Sequence, residues 1–193
     1  MSAAVAARDP VTRVAVDVTF LRMEAPPAAP APALPDGHAV IRLARPSVPF
    51  YRYLYDTVGR DWLWWLRRTV PDEEIAGLLA RPEVSIHVLY GGGEPAGFYE
   101  LERRGGEAGT NLSYFGLLPH AIGRGLGTAL LRHALDTAWA EGAKAVTVNT
   151  CTADHPRALP NYVAAGFKVL RTVRETWPVP NRLGLRVPER LRV

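Results

Sequence analysis

Cysteine is nearly absent: Cys151 is the only one in 193 residues. That excludes an internal disulfide and any zinc site built on paired thiolates. Lysine is almost as scarce, since only Lys144 and Lys168 of the 23 basic residues are lysine. Arginine therefore carries the net charge of +4, and no arginine run is longer than Arg67-Arg68 or Arg103-Arg104. Charge scattered in this way describes a solvated surface and argues against a dedicated nucleic-acid face. No stretch approaches the roughly 18 apolar residues of a membrane span. The apolar opening, Met1 to Ala7, is cut off by Arg8, Asp9 and Pro10. It is too short for a secretory signal core, so the expectation is a cytoplasmic protein. The five histidines show no metal-ligand spacing, and no metal centre is expected. There is no Gly-Lys-Ser/Thr, which excludes a P-loop nucleotide hydrolase.

What is present is an ordinary globular balance, 48% hydrophobic and 22% charged, at a length that suits one domain. Val14, Val16, Val18 and Phe20 alternate with Ala15, Asp17 and Thr19. This period of two predicts a strand over 11–23. Residues 25–37 follow, with Pro26, Pro27, Pro30, Pro32 and Pro35; fixed φ and missing N–H groups make them an extended linker. The expected organisation is therefore an N-terminal extension with one strand over 1–24, a linker over 25–37 and a compact domain over 38–193. The first strand would pack back on that domain or on another subunit of a homodimer.

Within the domain the pattern predicts a strand over 39–44 and a helical segment over 49–67 broken near Gly59. A helix over 72–80, strands over 84–90, 95–103 and 108–118, and a helix over 125–141 come next. A strand over 144–150, a helix over 156–165 and a strand over 167–177 complete it. Strands dominate the middle and two βα units close the chain. The class is α+β, with helices flanking a mixed, mainly antiparallel central sheet.

The stretch Ile122-Gly123-Arg124-Gly125-Leu126-Gly127-Thr128 follows a predicted strand and opens a predicted helix. Glycine lets the backbone curl without a Cβ in the way, and the N–H groups of a helix start converge on one positive point. A phosphate or pyrophosphate suits that point; a purely structural glycine turn is the other reading. The spacing is GxGxG, and no acidic residue ends the next strand, Val148-Asn149-Thr150, to hold a dinucleotide ribose.

Phe115-Gly116-Leu117-Leu118-Pro119 running into Gly123-x-Gly125-x-Gly127, with Tyr162-x-x-x-Gly166-Phe167 after the next strand, resembles the GNAT superfamily of N-acetyltransferases over about residues 39–177. One departure is Ile122, where the family loop usually starts with Arg or Gln. The resemblance implies acetyl-CoA as donor, with the backbone of Gly123, Arg124, Gly125, Leu126, Gly127 and Thr128 holding its pyrophosphate. Leu117 and Leu118 would pair with the pantetheine amides, and His155 would face the cofactor near the start of the later helix. Tyr162 would be the general acid: a phenol of pKa about 10 is protonated at pH 7 and can give its proton to the departing thiolate. The acceptor implied is an amine.

A lysine-like amine is neutral about once in 2,500 molecules at pH 7, so freeing its lone pair costs about 4.6 kcal/mol. A base is therefore wanted. Related enzymes often place a glutamate on the strand before the loop, but 108–118 has no carboxylate. Glu100 and Glu102, on one face of the preceding strand, are the candidates, directly or through water; a water chain ending on backbone carbonyls is the alternative. Cys151 is read as a small buried apolar group rather than an acetyl-carrying nucleophile. Seven of the 17 aromatic residues lie between Phe50 and Trp65. On one helix, Tyr51, Tyr55, Val58, Trp62 and Trp65 form a core stripe. Tyr53 and Trp64 lie on a second stripe and would line the acceptor pocket, unless both stripes pack. A non-catalytic acyl-CoA-binding module and an enzyme acetylating aminoacyl-tRNA are the competing functions; the latter predicts a contiguous basic face.

Overall fold

The structure, a computed structural model, describes residues 9–106 and 109–193. Seven strands form one sheet: β1 (Val11–Met23), β2 (His38–Arg42), β3 (Val84–Gly91), β4 (Glu94–Gly105), β5 (Gly109–Leu117), β6 (Val146–Cys151) and β7 (Lys168–Pro180). Their order is β2-β3-β4-β5-β6-β1-β7, antiparallel throughout except between β5 and β6. The helices are α1 (Val48–Gly59), α2 (Leu66–Thr69), α3 (Asp72–Leu79), α4 (Leu126–Ala140) and α5 (Ala158–Ala164). The α+β class and the mainly antiparallel sheet are as the pattern predicts. Ala108, the expected first residue of β5, lies outside the described residues.

The first strand packs back on the domain, and it does so as an interior strand. Val18–Met23 pair with β6, and Val11–Arg22 pair with β7. Among the described residues β7 has no other strand partner, so the sheet is not complete from His38 onward, and the strand treated as an extension belongs to it. The linker must then cross from the sixth position of the sheet to the first. Five strand spacings are roughly 24 Å, and the fourteen residues 24–37 reach roughly 43 Å as polyproline II, so the crossing is loose. Arg132 of α4 holds the crossing chain, donating to the carbonyls of Ala29 and of Pro27 (3.5 Å).

α4 and α5 cover one face of the sheet, where Leu130, Leu135, Tyr162 and Phe167 join Tyr99, Leu101, Leu112 and Val146 in one apolar cluster. Tyr51, Leu54 and Tyr55 of α1 and Ile75 of α3 cover the other, against Ile86, Val88 and Phe98. A third cluster joins Val14, Val16 and Val18 of β1 to Leu63, Val179 and Leu191.

One junction opens the site. β5 and β6 pair only at Thr110–Val146 and Asn111–Thr147. Gly109 (φ +68°) makes that contact possible: a Cβ there would stand 2.2 Å from the carbonyl oxygen of Ala145, which accepts from the Thr110 N–H at 2.9 Å. Beyond Asn111 the two strands part, β5 bulging at Ser113 as Glu100 pairs with Tyr114 and Leu101 with Leu112. The fork leaves the inner edge of β5 without strand partners.

Candidate active site

The fork holds a cavity of about 760 Å³. Its floor is the parted edge of β5. At one end stands the glycine turn: Gly123 (φ +83°) and Gly125 (φ +77°) lead into α4, and Gly123, Gly125, Gly127 and Thr128 all line the cavity. A Cβ added at Gly123 or Gly125 would meet nothing within 4 Å. Glycine is therefore demanded there by the left-handed backbone, and open space lies beside a helix start whose first N–H groups have no intrahelical acceptor. The positive end of a 15-residue helix dipole therefore faces that open space. Leu126 is buried in the core, leaving its backbone alone to the turn, and the Arg124 side chain is exposed and outside the lining. Ile122 stands in the lining, 40% exposed.

The other expected residues divide. Leu117 lines the cavity, but Leu118 does not: its side chain is in the core, and its N–H donates to Ala96 at 2.9 Å. That amide is already spent and cannot hold a pantetheine carbonyl. Tyr162 lines the cavity from α5, its ring edge-on to Phe115 and Phe167. Its hydroxyl has no hydrogen-bond partner among the described residues. Burial, and secondarily the charge of Asp154, raise its pKa well above the usual phenol value. The proton stays on at neutral pH, as a general acid requires. His155 lines the cavity edge-on to Trp62; its Nδ1 accepts the Arg157 N–H at 3.0 Å, so the neutral ring carries its proton on Nε2.

Trp64 is in the lining, with ring centroids 5.3 Å from Tyr55 and 5.0 Å from Tyr114. Tyr53 is not. It is 47% exposed and stacked on Phe50, away from the cavity. The cause is the end of α1 at Gly59, where a Cβ would lie 2.3 Å from Trp64 Cβ. The chain folds back onto that glycine through Leu63, a buried leucine at φ +55°. The helical phase from Tyr53 to Trp64 is lost, and the turn carries Trp62, Trp64 and Trp65 together into the cavity wall while Leu63 takes the core position.

Glu100 is a third correction. Its carboxylate is 1% exposed and does not line the cavity. Oε2 accepts from Tyr51 at 2.7 Å and Oε1 from Arg67 at 3.0 Å. A carboxylate enclosed in this way cannot meet a substrate amine. Glu102 does line the cavity, but Arg81 takes Oε1 and Arg104 takes Oε2, each at 3.1 Å.

Arg67 and Asp154 are among the lining residues that went unnoticed in the sequence. Arg67 backs onto Glu100 and lies over the Tyr114 ring at 5.4 Å, with its buried Nε unpartnered among the described residues. Asp154 follows β6, and its Oδ2 accepts the Thr150 hydroxyl at 2.8 Å and the Cys151 N–H at 2.9 Å. Nothing in the local sequence separates either from a surface charge.

Cys151 also lines the cavity. Burial and the Asp154 charge push its thiol up to about 12. At pH 8 roughly one molecule in 10,000 is then thiolate, against about a quarter for an ordinary cysteine. Iodoacetamide should therefore alkylate the native protein at least about a hundred times more slowly than the urea-unfolded chain, read by intact mass. Equal rates would restore Cys151 as a nucleophile.

The chain was compared with known proteins. Residues 45–167 match the acetyltransferase (GNAT) family. No curated protein matches the chain. Among solved structures it is similar to a GCN5-related N-acetyltransferase from Sphaerobacter thermophilus, with TM-score 0.61 and 18% identity, covering 88% of this chain and 53% of that one. A GCN5-related N-acetyltransferase from Kribbella flavida gives TM-score 0.59 and 18% identity over 91% and 63%. An aminoglycoside acetyltransferase from an uncultured soil metagenomic sample gives 0.57 and 16% over 68% and 88%. The chain thus spans between half and two thirds of the first two proteins. The family match covers more than half of the chain and falls on the fork, the glycine turn and Tyr162: the protein belongs to the acetyltransferase (GNAT) family.

Proposed function

We propose that the protein transfers the acetyl group of acetyl-CoA to the amine of a small molecule or protein by direct attack in a ternary complex. The observation that carries this reading is the coincidence, in one cavity, of an unpaired strand edge, a helix start opened by left-handed glycines and a phenol that keeps its proton. The edge of β5 offers amides and carbonyls for the pantetheine arm, in the way a strand accepts another strand. The amides from Gly123 to Thr128 receive the pyrophosphate. Leu118, expected to share the pantetheine contacts, is left out of them. An unpaired β5 N–H polarises the thioester carbonyl as it becomes an oxyanion. The amine attacks that carbon, the C–S bond breaks, and Tyr162 protonates the sulfur. Among the described residues no group of three or more His, Cys, Asp or Glu side chains is placed to hold a metal ion.

The donor half is tested at Gly125. Gly125→Asp puts a carboxylate where the pyrophosphate would lie; the new Cβ meets no atom, the left-handed backbone strains the turn, and Asp is among the residues that tolerate that conformation best. Calorimetry should show CoA affinity falling at least tenfold, about 1.4 kcal/mol, in a variant with an unchanged circular dichroism spectrum. Unchanged affinity would remove the basis of the reading. The transfer half is tested by thiol release from acetyl-CoA over amino acids, polyamines, aryl amines and aminoglycosides. CoA binding without turnover of any amine would leave a non-catalytic acyl-CoA-binding module, the reading that Ile122 and the lack of a carboxylate over 108–118 permit.

A further inference from the structure

Resting on that reading, we infer that Asp154 holds the acceptor's ammonium and takes its proton, and that the acceptor is a primary alkyl amine on an aromatic or apolar body. Among the described residues the lining contains two carboxylates. Glu102 gives an oxygen to each of two guanidiniums and is closed to a substrate. Asp154 takes the Thr150 hydroxyl and the Cys151 N–H on Oδ2, and its other neighbours in hydrogen-bonding reach are the Trp64 indole and the Cys151 thiol, neither of them a cation. No guanidinium pairs with it among the described residues. It stands beside the Trp64 indole, on the aromatic wall of Trp64, Tyr55 and Tyr114, and its charge is felt at the Tyr162 phenol. An amine between these groups has an anion for its charge, ring faces for its body and the expected acid of the reaction within electrostatic reach.

The ionisable groups around Asp154 are Cys151 on β6, Tyr162 on α5, and His155 and Arg157 in the intervening turn; Arg67 lies elsewhere in the lining, and Arg190 holds the Thr152 carbonyl nearby. Burial raises the Asp154 carboxyl above the usual range, with Thr150 and the Cys151 amide pulling it back. A raised carboxyl is a stronger proton acceptor than an exposed one.

The steps balance. R–NH3⁺ gives one proton to the Asp154 carboxylate, leaving R–NH2 and a carboxylic acid. The nitrogen lone pair forms the C–N bond, and the C–S pair leaves on sulfur. Tyr162 gives its proton to the thiolate and takes back the second proton from the new amide nitrogen. Asp154 then loses its proton to solvent.

The test compares two probes, 2-phenylethylamine, an ammonium at pH 7, and aniline, already neutral there, using wild type and Asp154→Asn. Asparagine keeps an acceptor for Thr150 and the Cys151 amide but cannot take the proton. With 2-phenylethylamine, kcat/KM should fall about 100-fold at pH 7, the gap narrowing as pH rises towards the amine's own pKa. With aniline the change should stay below about threefold. Tryptophan fluorescence should show 2-phenylethylamine binding weakened at least tenfold, with CoA affinity unchanged. Equal losses on both amines at every pH would make Asp154 a structural residue and overturn the inference. So would a wild type that binds acetyl-CoA but neither binds nor acetylates either probe. A wild type that binds no acetyl-CoA would overturn the donor reading, and the inference with it.

Discussion

Glu100→Gln should lower the stability of the fold by about 3 kcal/mol while leaving CoA binding in place. The carboxylate sits beneath α1 with Tyr51 on one oxygen and Arg67 on the other, and it is 1% exposed. Removing one member of a buried pair leaves the other charged and unmatched, an effect of about 3–5 kcal/mol. The lower end applies because the Arg67 side chain is 22% exposed and can turn into the cavity for hydration. For a chain of this size the melting temperature should fall by roughly 6–12 °C. The replacement amide also turns an N–H₂ towards a donor, either the Tyr51 hydroxyl or the Arg67 guanidinium. Glu100→Leu combined with Arg67→Met removes both charges and should recover part of the loss, as an apolar pair of similar volume can. Urea unfolding of wild type and the two variants measures it. A Gln variant as stable as wild type but without turnover would return Glu100 to the role of base. The role this geometry gives Glu100 is to fix Arg67, and so the wall that Arg67 shares with Tyr114.

Much of this arrangement was legible, and the illegible part has physical causes. The strand over 11–23 could be read from its alternation because Val14, Val16 and Val18 put branched side chains on one buried face, although Ala15 and Thr19 on the other face are buried too. Its neighbours could not, because pairing with β6 and β7 joins residues more than 120 positions apart, and alternation does not encode a partner. The glycine turn could be read because left-handed φ at Gly123 and Gly125 is a local demand met by a local residue type. At the tryptophans the sequence showed the break at Gly59 but not its consequence. Gly59 is bare so that Trp64 can lie on it, and Leu63 adopts a conformation that leucine rarely takes. Strain of that kind has no sequence signature when the residue is not glycine or asparagine.

The base shows the same limit. Glu100 and Glu102 share a face by period two, yet one is sealed by Tyr51 and Arg67 and the other reaches the cavity already paired. The bulge at Ser113 changes what lies opposite between them. A period describes a strand and not what covers it. Asp154 reads as an ordinary turn aspartate after Cys151, and only the parting of β5 from β6 gives it a cavity to face.

Tyr162→Phe should lower kcat by one to three decades while acetyl-CoA affinity changes little. The ring is held by Phe115 and Phe167, and both contacts survive the loss of the hydroxyl. The hydroxyl itself hydrogen-bonds nothing among the described residues, so its removal leaves no protein group unsatisfied and should move the melting temperature by no more than about 2 °C. That combination separates the acid from a packing residue: a structural tyrosine would announce itself in stability, and this one should announce itself only in turnover. The size follows from the leaving group. A thiolate of pKa about 8.5 departs tolerably well without help, so the loss belongs at the low end of the two-to-four-decade range for general acids. The direction with pH follows from the raised phenol. Burial and Asp154 hold the proton on throughout the working range, so wild-type kcat should show no alkaline limb from Tyr162 below about pH 10. The variant's deficit should therefore be constant from pH 7 to 9, and steady-state turnover against pH for both proteins measures it. A variant that turns over like wild type would assign Tyr162 to the α5 interface, and the proton for sulfur would then have to come from water at the mouth of the fork.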